Sequence, residues 1–194
     1  DAAAMLSLCL TADISCSVQV LGSDFRVRMT QAGFAGIVRK TLERAPLILC
    51  PGEALRAAMV GAGITGEKIV AFRNGVDRRI FHPPSPETAV RSGTRPVLFV
   101  GNLLYVKGVD RLAAAWPMVL RTLKTAEPQL RPELLLAGKG ELRTRLEAAF
   151  GADPDSAGTV RFLGAVPHAD VGNLLRSSHC LCLPSRSEGM PNVV

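Results

Sequence analysis

The chain has 194 residues, with 23 Lys and Arg against 17 Asp and Glu, a net charge of +6 and 47% hydrophobic residues. A chain of this kind buries a core and is not a disordered tail. Its longest apolar runs, at 46–50 and 97–100, fall well short of the roughly 18 residues that a membrane-spanning helix needs.

Residues 1–10 are apolar but lack the basic start and the small-residue cleavage site of a signal peptide. Short apolar runs then recur at 18–21, 47–50, 69–72, 97–101, 134–137, 160–163 and 181–183. They are nearly continuous in hydrophobicity, as strands covered on both faces of a parallel sheet are. Between them, helical spacing predicts helices over 30–45, 53–62, 109–124, 141–150 and 169–177. In the third, Leu112, Ala115, Trp116, Val119, Leu120 and Leu123 form one apolar stripe, inside which Pro117 is expected to kink or reset the helix. Alternating strand and helix predicts an α/β fold of doubly wound sheets.

One segment breaks the rhythm. Residues 82–96, HPPSPETAVRSGTRP, hold four of the 13 prolines and no sustained period. They read as a linker, dividing the chain into a first domain over 1–84, a linker over 85–96 and a second domain over 97–194. Both ends read as cuts: there is no initiating Met, and residue 194 falls where a helix is expected to begin. The five cysteines, Cys9, Cys16, Cys50, Cys180 and Cys182, are odd in number and lie in or beside apolar runs. They predict buried, reduced thiols of a cytosolic protein. Cys180 and Cys182 alternate along a strand and lack zinc-ligand spacing.

If the second sheet follows the common 3-2-1-4 order, its first and fourth strands are neighbours and the ligand crevice lies at their carboxyl ends. The loops over 101–108 and 184–191 then face each other. In the first, GNLLYVKG, Lys107 directly precedes a helix start, where an ammonium and unpaired amides together suit a diphosphate. In the second, PSRSEGMPN, Glu188 stands beside the backbone of Gly189 and Met190, and Pro191 suits the first turn of a helix. A carboxylate beside free amides suits a hydroxyl-rich ligand. The same positions also suit a solvated lysine and a carboxylate placed for the helix dipole. The run Gly138-Lys-Gly-Glu reads as a strand-to-helix turn and does not match GxGxxG. His82, His168 and His179 lack acidic or cysteine partners at ligand spacing and read as turn or packing residues. A single Tyr105 and a single Trp116 are too few for nucleic-acid stacking.

The segments FVGNLLYVKGVDRL (99–112), LLLAGKGEL (134–142), VRFLGAVPHADVGNLLRSSHCLCLPS (160–185) and SRSEGMPNVV (185–194) together resemble the donor-binding domain of glycosyltransferase family 4, the group 1 transferases. FRNGVDRRIFHP (72–83) is similar to that family's lead-out from its first domain, and VQVLGSDF (18–25) to its acceptor-side GSD loop. The resemblance covers the chain from about Val18 onward. It implies a GT-B fold of two Rossmann-like doubly wound domains, both incomplete in this chain, and a retaining, metal-independent transfer of a sugar from a nucleotide diphosphate sugar to an acceptor hydroxyl. It also implies that this piece alone is inactive. The implied partners are that donor and a glycan, lipid-linked or small-molecule acceptor, with no cofactor, no metal and no nucleic acid.

Carried over by residue, the resemblance makes Lys107 a catalytic binder of the donor phosphates and Glu188, the first glutamate of an E-x7-E motif, the holder of the sugar hydroxyls. Gly189, Met190, Pro191 and Asn192 would supply donor-binding backbone, and Val166 would lie against the base. Asn102 stands where many relatives carry an Arg, and Leu21 where some carry a His. The second glutamate would fall at position 196, beyond the sequence. Other readings of this architecture are a nucleotide-sugar epimerase or phosphorylase-like enzyme and a degenerate, non-catalytic binding module. Positive charge at Arg26, Arg28, Arg39, Lys40 and Arg44 suits anionic lipid headgroups or a charged acceptor as well as an ordinary solvated surface. The expected location is cytoplasmic, with peripheral contact at the inner face of the membrane.

Overall fold

The structure is a computed structural model that describes residues 2–84, 94–186, 188 and 191–193. The chain divides into two units, one holding the described residues up to Gly75 with Glu188 and 191–193, the other running from Val76 to Arg186.

The first unit comprises α1 (Ala2–Thr11), β1 (Val18–Gln19), α2 (Ser23–Arg28), α3 (Phe34–Arg44), β2 (Ile48–Pro51), α4 (Glu53–Gly61), a 3-10 turn at Gly66–Lys68 and β3 (Ile69–Phe72). The three strands are parallel in the order β1-β2-β3. Ile48 and Cys50 of β2 and Leu55 and Met59 of α4 are fully enclosed at its centre. Two helices lie outside the sequence expectation. In α1 apolar residues run all round and only Leu6 is buried, so no stripe marks it. The six residues of α2 are too few to display a period. Turns over 29–33 delay α3 to Phe34, where a helix from residue 30 was expected.

The second unit holds β4 (Thr94–Val100), α5 (Val109–Ala126), β5 (Arg131–Ala137), α6 (Arg143–Ala152), β6 (Val160–Gly164), α7 (His168–Ser177) and β7 (Cys180–Leu181). Its sheet is parallel throughout and ordered β6-β5-β4-β7, which is the expected 3-2-1-4 winding. Successive residues of β4 and β5 feed opposite layers, as the period of two in a strand requires. Phe99, Leu134 and Leu136 pack with Leu112 and Trp116 of α5 and Leu146 and Phe150 of α6. Leu98, Leu135 and Ala137 pack with Leu174 and Leu175 of α7. Helices on both faces make the sheet doubly wound.

Several boundaries move. β4 begins at Thr94, inside the expected linker, because Thr94, Arg95 and Pro96 pair with Arg131, Pro132 and Glu133 in a stretch too polar to signal a strand. Residues 85–93 of that linker lie outside the described residues. Residues 76–81, grouped with the first domain in the sequence reading, pack on α7: the Ile80 carbonyl accepts from Arg176 Nη1 at 2.7 Å beside Gly172, which has no side chain to block it. Helix α5 runs unbroken through Pro117. Leu112 and Trp116, four apart, carry its burial, whereas Ala115 and Val119 of the expected stripe are exposed.

Trp116 seats its indole N–H on Thr159 Oγ1 at 2.9 Å, and Thr159 Oγ1 donates onward to the Ser156 carbonyl. The five cysteines are free thiols, but only Cys50 is buried; Cys180 is exposed and the others are half-buried, which corrects the expectation of five buried thiols. Among the described residues no helix is long and apolar enough to cross a membrane.

Candidate functional site

The neighbouring strands β4 and β7 place the carboxyl-terminal loops of both at the same edge of the second sheet. After β4, the backbone of residues 101–103 runs against that of the loop following β5. Gly101 N–H donates to the Ala137 carbonyl at 2.9 Å, Leu103 N–H to Lys139 at 2.9 Å, and Leu142 N–H back to Leu103 at 3.1 Å. A Cβ at Gly138 would overlap the Gly101 carbonyl, and one at Gly140 the backbone of Leu103. The two glycines of the GKG run therefore serve close backbone approach, in keeping with a strand-to-helix turn. Leu103 is fully buried beneath this contact, and Asn102 beside it is exposed.

Tyr105–Lys107 form a 3-10 turn whose Lys107 and Gly108 amides close on the Leu104 and Tyr105 carbonyls, both at 3.0 Å. Gly108 is left-handed, with φ 68°, and turns the chain into α5. Lys107 is half-buried and, as expected, stands just ahead of the helix start. The amides at that start are not all open, however, because the Asp110 carboxylate draws on the backbone N–H groups of Asp110 and Arg111. Asp110 lies in the first turn of α5, where a carboxylate is favoured by the helix dipole.

The loop leaving β7 meets this turn directly. The Pro184 carbonyl sits where a Cβ of Gly108 would be, and Arg186 N–H donates to the Val106 carbonyl at 2.8 Å. Arg186 then grips Asp110 with both arms, at 2.6 and 2.7 Å, donates to the Tyr105 carbonyl, and lies over the Tyr105 ring with Cζ 3.7 Å from its centroid. Bidentate guanidinium–carboxylate pairs are among the stronger polar contacts. Hydrogen bonding to Arg186 holds the Asp110 carboxyl below its ordinary range, and the same bonds raise the Arg186 pKa. The predicted meeting of the two loops is thus present as far as Arg186.

Neither Asp110 nor Arg186 was singled out by sequence reasoning. The available signal was a pair of opposite charges flanking two loops expected to face each other.

Of the remaining expected residues, Val166 is half-buried just past β6 and packs on the layer of Leu98, Leu135 and Ala137. Glu188 and Pro191 are half-buried and Asn192 exposed, and all three belong to the first unit. There Asn74 Nδ2 donates to Asn192 Oδ1 at 2.7 Å, so the side chain of Asn192 has a partner close by. Gly189 and Met190 lie outside the described residues. His82 Nδ1 is 2.9 Å from the Pro83 carbonyl, and His168 packs edge-on against Phe81 with centroids 5.0 Å apart, in line with turn and packing roles.

Residues 94–194 match the family model described as glycosyl transferases group 1. Over 129 residues, 66% of this chain and 26% of the relative, the sequence is 30% identical to a phosphatidylinositol N-acetylglucosaminyltransferase protein of Arabidopsis thaliana. Over 124 residues, 60% of this chain and 30% of the relative, it is 30% identical to the GDP-mannose-dependent monoacylated alpha-(1-6)-phosphatidylinositol monomannoside mannosyltransferase of Corynebacterium glutamicum. Among solved structures, Anabaena Alr3699/HepE in complex with UDP and glucose superimposes with a TM-score of 0.80 at 17% identity, over 100% of this chain and 53% of that one. The chain therefore spans about half the length of that structure, and its matched parts cover less than a third of the two curated relatives.

Proposed function

Because the chain belongs to the group 1 glycosyltransferases, we propose that it carries the donor-binding part of a retaining enzyme that moves a sugar from a nucleotide diphosphate sugar to an acceptor hydroxyl. The observation that carries this reading is the β6-β5-β4-β7 order, which brings the Lys107 loop and the loop after β7 into contact at the carboxyl end of the sheet. Open α/β sheets bind their ligands at such a reversal of strand order.

In the proposed reaction the bond between the anomeric carbon and the diphosphate breaks, and the acceptor oxygen bonds to that carbon on the face the diphosphate leaves. Negative charge grows on the departing phosphate oxygens. A fixed ammonium at Lys107 stabilises that charge as it develops, which is worth more than the same charge in water because nothing has to reorganise. Asn102 adds a neutral hydrogen-bonding group, Glu188 accepts from sugar hydroxyls, and Val166 offers apolar surface to the base. Backbone of Gly189, Met190, Pro191 and Asn192 completes the donor contacts. The charge compensation requires no metal, so chelators leave turnover unchanged.

A lipid-linked acceptor is the favoured class. Two curated relatives have names that include phosphatidylinositol, and Arg39, Lys40 and Arg44 give α3 a basic character suited to anionic headgroups at the inner face of a membrane. The test is to incubate the full-length protein with UDP- and GDP-sugars, with and without a phosphatidylinositol acceptor, and to follow the product by NMR. Acceptor-dependent transfer with the donor's anomeric configuration preserved is the expected result. Donor isomerisation without acceptor, or an inverted product, sinks the reading.

A further inference from the structure

On the reading that Lys107 meets a diphosphate, one residue stands out of place. Asp110 puts a carboxylate in the first turn of α5, three residues after Lys107, where it repels the phosphates that Lys107 attracts. A bare carboxylate there also occupies amides at the helix start that an anion would use.

Arg186 addresses both problems from the opposite loop. Its guanidinium covers both oxygens of Asp110, its Nη1 holds the Tyr105 carbonyl, its plane lies on the Tyr105 ring, and its own amide holds Val106. Tyr105 and Val106 are two of the three residues of the turn that ends in Lys107. With its side chain 20% exposed, Arg186 is partly withdrawn from water and is not the loose surface ion pair whose contribution is close to nil. The task calls for an arginine: a planar fork satisfies two carboxylate oxygens and stacks at once, whereas an ammonium is a single point of charge. Arg186 also stands two residues before Glu188 in the chain.

We infer that Arg186 is the positioning residue of the donor site: it fixes the turn bearing Lys107 against the loop after β7 and cancels the charge of Asp110, leaving the start of α5 attractive to a diphosphate. Arg186 itself touches no substrate in this scheme. Its effect therefore falls on the phosphate part of donor affinity and spares the base and ribose.

The experiment compares the full-length wild-type protein with Arg186→Met, Arg186→Lys, Asp110→Asn and the double variant Arg186→Met/Asp110→Asn. Calorimetry measures the affinity of UDP, GDP and ADP against that of the matching nucleosides, and urea melts confirm that each variant is folded. Arg186→Met is expected to weaken the diphosphate by tenfold or more while changing nucleoside affinity less than twofold. Adding Asp110→Asn recovers at least threefold of that loss, because the uncompensated carboxylate is gone, and Arg186→Lys lies between Met and wild type. A purely structural role instead lowers both ligands equally and shows no recovery in the double variant, which overturns the inference. Wild-type protein that binds a diphosphate while the Met variant binds it equally well also overturns the inference, and leaves the donor-site reading standing. Wild-type protein that binds none of the three diphosphates overturns the donor-site reading and this inference with it.

Discussion

Gly108 lies directly beneath the carbonyl of Pro184, and its backbone is left-handed at φ 68°. Two independent constraints meet at that position: any side chain collides with the neighbouring loop, and any L-residue strains the backbone. Gly108→Ala is therefore expected to destabilise the protein by about 1–2 kcal/mol through its left-handed backbone alone, with a further loss from the overlap. Urea unfolding checks this through a lower midpoint at constant slope; an unchanged midpoint means that the loop relaxes freely around the added methyl group.

Thr159→Val tests the buried polar chain in the second core. Thr159 accepts from the enclosed indole of Trp116 and donates to Ser156, whose own Oγ donates to Asp153 at 2.6 Å. Valine keeps the shape and leaves the indole N–H without its acceptor, which costs about 1–3 kcal/mol. The same unfolding assay reads it, and a cost below half of that range places water or another acceptor at the indole.

Acid weakens the clasp at Asp110. The carboxyl is held below its ordinary value of 3.8 chiefly by Arg186. The stability this contributes is whole well above pH 3.8 and fades as the pH falls through the lower value of the folded state. Wild type is therefore expected to be more stable than Asp110→Asn at neutral pH, with the gap closing below about pH 4. Urea midpoints of both proteins from pH 7 to pH 3 measure the gap, and one that stays constant across that range contradicts the role given to Arg186.

Lys107→Ala is expected to reduce turnover by about 10²–10³-fold, the usual cost of removing one group that stabilises transition-state charge. The urea midpoint should stay within about 0.5 kcal/mol of wild type, because the side chain is not part of either core. Turnover within a few-fold of wild type removes Lys107 from the phosphate site.

Much of the second sheet was legible because its strands are buried on both faces. The runs at 97–101, 134–137 and 160–163 are continuous, and a parallel order with helices on both sides follows from continuous runs joined by helices. The polar pairing of Thr94–Pro96 with Arg131–Glu133 had no such signal, since nothing apolar marks it. Lys107 could be placed from its distance to one helix start, a local feature. Arg186 could not, because its partner Asp110 is 76 residues away and the pair has meaning only once the two loops touch. Pro117 was expected to disturb α5 because a ring in a helix interior removes a donor; the surrounding packing of Leu112 and Trp116 carries the helix through.

The stacked backbones of residues 101–103 and 138–140 separate shape from chemistry at the edge of the sheet. Their mutual position is set by amides, carbonyls and the missing side chains of Gly138 and Gly140, while the side chain of Asn102 points its choice of group at solvent from a fixed platform. Position 102 can therefore change its residue type, and with it the charge offered to an incoming ligand, without the frame being renegotiated. Evolution has a dial there, mounted on a part that does not turn.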